Sequence, residues 1–166
     1  MSDDNIKIIL KNKKAFFEYF IEQKFEAGIV LKGTEIKSIR EGHCSIQDSY
    51  ARITKNFEIY LIGFVINEYK NSGYVSHEPN RPKKLLLHKN EILRISKKVN
   101  QAGYTLIPLS VYIKGAFVKV ELGLAKGKKL YDKRESIKKK ELDRQMNRKE
   151  KKKKKKLYCN LSFSLF

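Results

Sequence analysis

Residues 107–124 read IPLSVYIKGAFVKVELGL, and this stretch decides the fold. Apolar side chains occupy every second position from Ile107 to Ile113 and again from Val118 to Leu124, on either side of the turn Lys114-Gly115. A period of two on both arms predicts a β-hairpin with one buried face and one exposed face.

Shorter strands are predicted in the part of the sequence that precedes this hairpin. Each is a run of apolar and β-branched residues bounded by turn residues, and residues 71–82 form a loop rich in Gly, Ser, Asn and Pro. The predicted strands are Phe25–Leu31, Ser45–Thr54, Phe57–Ile66 and the buried Leu85–Leu87. Five or six antiparallel strands with short helices favour a mainly β fold, namely a closed barrel of the oligonucleotide-binding type.

Three helices are expected to flank these strands. Each begins after a residue that can cap the first turn. They are Lys13–Tyr19 capped by Asn12, Glu35–Arg40 capped by Thr34, and a helix from Asn90 to Gly103 whose buried stripe is Ile92, Ile95 and Val99.

Charge divides the chain into two parts. The 166 residues carry 37 basic and 18 acidic side chains, a net charge of +19. Residues 126–156 alone hold 17 basic and 5 acidic side chains, net +12, and they are rich in helix-forming residues. We therefore expect a body over residues 1–127 and a basic tail over residues 128–166 that is disordered alone or helical on an anionic surface.

This balance favours nucleic acid or an anionic membrane as the partner. No apolar run reaches the ~20 residues of a membrane span, and the N-terminus lacks the pattern of a secretion signal. Cys44 and Cys159 suggest no disulfide framework. We expect a cytoplasmic protein with no membrane partner.

No arrangement typical of catalysis is present. The sequence lacks a P-loop, a nucleophile elbow and zinc-ligand spacing, and the adjacent His43 and Cys44 would face opposite ways on a strand. His77 and His88 are expected to be solvated surface residues, and contact with phosphate is the alternative. Glu26 is either a surface carboxylate or an acceptor for base and sugar donors. We expect no enzyme, no cofactor, no catalytic residue and no metal site.

Several short blocks occur in order over roughly residues 10–150. They are Asn12–Lys14, Phe25–Ile29, Leu31–Ser38, Ile46–Tyr50, Lys84–Lys89, Gly103–Thr105, Leu124–Lys129 and the Gly-Lys-Lys-Leu-Tyr-Asp-Lys-Arg of residues 127–134. Together these blocks resemble small protein B (SmpB), the family that binds transfer-messenger RNA. The resemblance implies an oligonucleotide-binding-type barrel and a role in trans-translation. Proteins of this family bind the tRNA-like domain of transfer-messenger RNA and enable its delivery to stalled ribosomes, where the nascent peptide is tagged for degradation.

The resemblance also implies site residues and partners. The tail would enter the decoding centre and empty message channel of a stalled 70S-type ribosome. Elongation factor Tu would join the delivery complex, and the protein would bind RNA one-to-one as a monomer. The implied RNA-binding residues are Asn12, Lys13, Lys14, Glu26, Leu86, Lys126, Gly127, Lys128 and Lys129. The implied tail residues are Asp132, Lys133, Arg134, Lys138, Lys139 and Lys140.

Two alternatives stay open at this stage. The chain could be a generic structured-RNA-binding protein of the translation apparatus, which would bind random RNA as well as tRNA-like RNA. Leu86 could contact RNA or only occupy the core. One departure from the family is residues 157–166, LYCNLSFSLF, which are uncharged where family tails stay charged. As a hypothesis, they are out of frame after the lysine run.

Overall fold

A computed structural model describes residues 6–69, 77–101 and 103–129, together with residues 131, 132, 134, 141, 144–146 and 148–151. The chain divides into two units, residues 1–127 and 128–166. Residues 157–166, the subject of the frame hypothesis, lie outside the described part.

The first unit contains nine strands and three helices among its described residues. The strands are β1 (Ile6–Lys11), β2 (Tyr19–Ile29), β3 (Cys44–Ser45), β4 (Tyr50–Ile53), β5 (Ile59–Ile62), β6 (Val65–Ile66), β7 (Lys83–Leu86), β8 (Tyr104–Lys114) and β9 (Phe117–Gly127). The helices are α1 (Lys13–Glu18), α2 (Gly33–Arg40) and α3 (Lys89–Val99).

The strand pairings close into a barrel. Going round, β8 pairs with β4, β4 with β5, β5 with β7, β7 with β2, and β2 with β9, which returns to β8. Every pairing is antiparallel, and β1 adds a further strand beside the end of β8, while β3 and β6 form a separate small sheet. The predicted mainly β body with flanking helices is confirmed, although the sequence pattern did not predict β1.

The long hairpin turns at Gly115-Ala116, one residue later than predicted, because Lys114 still pairs with Phe117, and its first arm buries both faces. A register shift between Pro108 and Ser110 marks a β-bulge, which changes the side of the sheet to which following side chains point. Val111 therefore lies in the barrel core, whereas Ile107 and Leu109 lie in a second cluster with Ala15 of α1. The prediction of one exposed face is wrong for this arm, because α1 covers part of it.

All three predicted helices are present, but one of the predicted N-terminal capping residues is wrong. The Asn12 side chain caps α1 by accepting the Ala15 N–H at 3.0 Å, as predicted. Helix α2 begins after Lys32 rather than Thr34, and Glu35 Oε2 accepts the Lys32 N–H at 2.6 Å. Helix α3 ends at Val99, earlier than predicted.

Thr34 instead forms a hydrogen bond with His77. The prediction that His77 lies at the surface is wrong. Thr34 Oγ1 lies 2.9 Å from His77 Nδ1, and Ile66 O lies 3.2 Å from Nε2. His77 is buried because these two partners satisfy both ring nitrogens inside the protein.

A buried polar cluster anchors the segment that enters β7. The Lys83 ammonium, fully buried, donates to Phe64 O at 2.6 Å and to Pro79 O at 2.7 Å. Arg81 Nη2 lies 2.5 Å from Glu35 Oε2. Burial lowers the pKa of Lys83 from 10.5 to about 8.

Candidate nucleic-acid interface

The candidate interface lies on the outer side of β2, β8 and β9. Register places Glu26 of β2 opposite Glu121 of β9, and Ser110 of β8 opposite Glu121 on the other side. Two carboxylates directly opposite each other repel, so each needs nearby donors.

Glu26 receives two donors from distant parts of the chain. The Tyr112 hydroxyl donates to Glu26 Oε2, and the Lys119 ammonium donates to Glu26 Oε1. The hydrogen bond from Lys119, and to a smaller extent that from Tyr112, holds the pKa of Glu26 below its usual range. Burial, followed by the hydrogen bond to Glu26, raises the pKa of Tyr112. Glu26 is therefore an ionised carboxylate that orients a lysine and a tyrosine on the exposed face.

Glu121 is stabilised by a matching pair of donors. Its Oε2 accepts from Ser110 Oγ at 3.2 Å, and its Oε1 lies 3.2 Å from Lys24 Nζ. Charged and hydroxyl groups thus alternate across the three strands, which is a surface suited to phosphate and sugar contacts.

An exposed apolar platform borders this polar row. Leu86 of β7 pairs with Gly28 of β2, and it remains 53% exposed, whereas Leu85 beside it is only 2% exposed. The expectation of a wholly buried three-leucine strand is therefore wrong, because successive strand residues face opposite sides. Phe117, at the tip of the β8–β9 hairpin, is 72% exposed.

These side chains surround one groove. Glu26, Leu86, Phe117 and Lys119 are among the residues that line a cavity of about 500 Å³. A Cβ at Gly28 would lie 3.3 Å from Leu86 Cβ, so glycine there allows the leucine to lie close over β2. The groove joins an apolar floor to a lysine and a carboxylate, a combination that can hold a base and its backbone.

Asn12 and Lys14 line a different cavity, of about 420 Å³. The Asn12 side chain is buried, and its Nδ2 donates to Ile46 O at 3.2 Å and to Pro108 O at 3.1 Å. Asn12 therefore fixes the start of α1 and connects it, from the protein interior, to the backbone at Ile46 and Pro108. Lys13 is exposed, and Lys14 Nζ lies 2.7 Å from Asp48 Oδ1.

Lys126 and Gly127 end the barrel. Lys126 pairs with Phe20 of β2 and Tyr104 of β8, and its ammonium lies 5.9 Å from the centre of the Tyr104 ring. Gly127 pairs with Tyr19. Both predicted site residues are thus held in the sheet.

In the second unit, the described residues from Tyr131 onward are helical. Asp132 Oδ2 accepts the Lys129 N–H at 3.1 Å, which is the geometry of a carboxylate that caps the first turn of a helix. Arg134 is also helical, and Lys128 lies before the helical residues. The predicted tail residues Lys133, Lys138, Lys139 and Lys140 lie outside the described residues.

Tyr112, Phe117 and Lys119 were not predicted as site residues. The hairpin pattern placed Tyr112 and Lys119 on the exposed side, but their partner Glu26 lies 86 and 93 residues away. Within the described part of the chain, no group of three or more His, Cys, Asp or Glu residues could hold a metal ion. Nor does any helix described there have the length and apolar character to cross a membrane.

Comparison with known proteins shows the family of this chain. The family model for the SmpB protein matches residues 9–152. This chain belongs to the SmpB family. The SsrA-binding protein of Halothermothrix orenii is 50% identical over 148 residues, which are 89% of this chain and 95% of that protein. The SsrA-binding protein of Treponema denticola is 53% identical over 148 residues, which are 89% of this chain and 96% of that protein.

A solved structure described as "tmRNA-SmpB: a journey to the center of the bacterial ribosome" has a similar chain. That chain is 45% identical, with a TM-score of 0.62, and the match covers 73% of this chain and 85% of the other. The similarity to that chain therefore extends to the fold as well as to the sequence.

Proposed function

We propose that this chain binds the tRNA-like domain of transfer-messenger RNA and enables its delivery to stalled ribosomes for trans-translation. Family membership supports this, as do relatives named SsrA-binding proteins and a similar chain from a tmRNA-SmpB structure on the bacterial ribosome. The observation that carries the proposal is the exposed face where Glu26 holds Lys119 and Tyr112 beside Leu86.

On this face, recognition combines shape, stacking and charge. Lys119 contacts a phosphate while Glu26 keeps its ammonium in place, and Leu86 with Phe117 covers an exposed base or ribose. Structured RNA is bound largely through shape and unpaired bases, so a rigid sheet with an apolar platform suits a tRNA-like fold. Asn12 contributes indirectly, through the start of α1.

The basic tail acts on the ribosome. Residues 128–156 of the tail hold 16 basic and 5 acidic side chains, and this excess of 11 positive charges would release counterions from ribosomal RNA on binding. The Asp132 carboxylate, which accepts the Lys129 N–H, favours helix formation in the tail. We assign Asp132, Lys133, Arg134 and the lysines 138–140 to contacts in the decoding centre and empty message channel, and Gly127–Lys129 to the junction.

The finer assignments belong to the same proposal. The chain works in the cytoplasm as a monomer bound one-to-one to the RNA, in a delivery complex with elongation factor Tu. It catalyses no reaction itself, since its surface orients RNA through donors and acceptors. The stalled peptide receives its tag from translation of the RNA.

The test separates body from tail with one set of preparations. A chain truncated before Asp132 should keep most affinity for the isolated tRNA-like domain but lose peptide tagging on stalled ribosomes. Glu26→Ala should weaken binding of that RNA by about 1–3 kcal/mol, the scale of lost charged hydrogen bonds. If the truncation removes both activities together, the tail belongs to the RNA site and the division is wrong.

A generic structured-RNA-binding protein is the competing function. Random RNA of equal length is the control, titrated beside the tRNA-like domain at the same salt concentration. Equal affinity for the two RNAs would replace our proposal with the generic function.

A further inference from the structure

A second groove lies beside the interface, and it is lined by residues of β1, α1, β2, β8 and β9. It has a volume of about 400 Å³. Ile6 and Ile8 of β1 and Phe16 of α1 are all exposed along it, Phe16 to 46%, and Leu109 and Tyr112 also line it. Because an exposed cluster of large apolar side chains is costly in water, this groove is a candidate for a bound partner.

The rim of the groove is basic and aromatic. Lys11, Lys24, Ser110 and Glu121 are its polar lining residues. The Lys24 ammonium lies 5.9 Å from the centre of the Phe16 ring and 3.2 Å from Glu121 Oε1. Lys24 is thus held at the mouth of the groove, where a phosphate beside a bound base would lie.

The groove is continuous with the proposed RNA face. Tyr112 lines the groove and also donates its hydroxyl hydrogen to Glu26. Glu121 lines the groove and stands opposite Glu26 in the β2–β9 register. One bound strand of RNA could therefore contact Glu26, Tyr112 and the groove in succession.

Charge decides the occupant. A second copy of the chain would bring a net charge of +19 against another +19, which opposes association through this basic rim. An RNA strand supplies both the negative charge and a flat apolar group, since every base has a face that stacks on an aromatic ring.

We propose that this groove takes an unstacked base of the transfer-messenger RNA, held against Phe16 with Ile6 and Ile8 beneath it. Lys11 and Lys24 contact the phosphates on either side of that base. The inference rests on the proposed function, because the strand reaches the groove by way of the Glu26 face.

The test is Phe16→Ala in the full chain, with filter-binding titrations of intact transfer-messenger RNA. Loss of one stacked base should weaken binding about 5- to 150-fold. The slope of log affinity against log salt should not change, because a stacked base releases no counterions. Phe16→Trp should restore binding, and Lys24→Gln should flatten the slope by up to about 0.7–0.9.

Phe57→Ala is the matched control, since Phe57 is 45% exposed at the β4–β5 turn and lines another cavity. It should leave RNA affinity unchanged. Ile8→Thr, which keeps a β-branched residue in β1, serves as a second variant if Phe16→Ala melts early. It should also weaken binding with an unchanged salt slope.

Three outcomes would overturn the inference. Wild-type affinity of both Phe16→Ala and Ile8→Thr, together with weak binding by Glu26→Ala, would reject the groove and keep the proposed function. Normal binding by Glu26→Ala as well would reject the proposed face itself. A doubled mass in light scattering that Phe16→Ala abolishes would show that the groove joins two copies.

Discussion

Leu86 offers a sharp test of the RNA face, because its neighbour in β7 is an internal control. Leu86 is 53% exposed and Leu85 is 2% exposed, although they are the same residue type in the same strand. Leu86→Ala should therefore affect RNA binding, and Leu85→Ala should affect folding.

The magnitudes follow from the exposed fractions. Full burial of a leucine side chain is worth about 1.5–3 kcal/mol, so covering the exposed half of Leu86 with RNA contributes about 0.8–1.6 kcal/mol. Loss of that contribution in Leu86→Ala weakens binding about 4- to 15-fold. Leu85→Ala leaves a cavity in the core and should lower the free energy of unfolding by about 2–5 kcal/mol.

The assay combines urea unfolding with filter binding to the tRNA-like domain, on the same preparations. Leu86→Asp should weaken RNA binding further, because a carboxylate would then face phosphates, and it should unfold at nearly the wild-type urea concentration. The reasoning is refuted if Leu86→Ala loses as much stability as Leu85→Ala, or if it binds RNA as tightly as the wild type.

Two further predictions concern stability. Burial lowers the pKa of Lys83 from 10.5 to about 8 in the folded chain, so between these pH values the unfolded chain binds more protons than the folded chain. The contribution of Lys83 to the free energy of unfolding therefore rises with pH, by up to about 1.4 kcal/mol per pH unit. Urea unfolding from pH 7.5 to 9 should show this slope, and the same slope in a Lys83→Met variant would contradict the prediction. Phe57 has φ 56°, in the left-handed region, and its N–H donates to Thr54 O at 3.1 Å. Glycine adopts this conformation without strain, so Phe57→Gly should raise the free energy of unfolding by about 0.5–1 kcal/mol. A lower melting temperature of Phe57→Gly would show that contacts of the phenyl ring stabilise the fold by more than the backbone strain destabilises it.

Sequence reasoning succeeded where the signal was local. The hairpin turn and the cap by Asn12 depend on a few neighbouring residues; the cap is present as predicted, and the turn lies one residue later, at Gly115-Ala116. It failed where the outcome depended on distant partners. A run of three leucines does not show which of them faces solvent, and the location of His77 depended on Thr34, 43 residues earlier.

The RNA face shows the same division. Glu26 was recognised as a candidate because it matches the family pattern, but its two donors come from β8 and β9. The bulge at Pro108–Ser110 was not visible in the alternating pattern, so the burial of Ile107 under α1 could not be predicted. Comparison by family gives the position of a residue, and only the fold gives its partners.

The closure of the barrel has a consequence for how the chain is made. Strand β1 pairs through Ile6 with Lys114, 108 positions later, and β2 pairs along its length with β9, which ends at Gly127. Such distant pairings slow folding, because a long loop must close before the contacts form. During synthesis, β1 therefore lacks its partner until β8 has left the ribosome, and β2 keeps one edge open until β9 has emerged. A chain that stops before Phe117 lacks β9 and cannot close the barrel, and its exposed edges would favour aggregation and degradation.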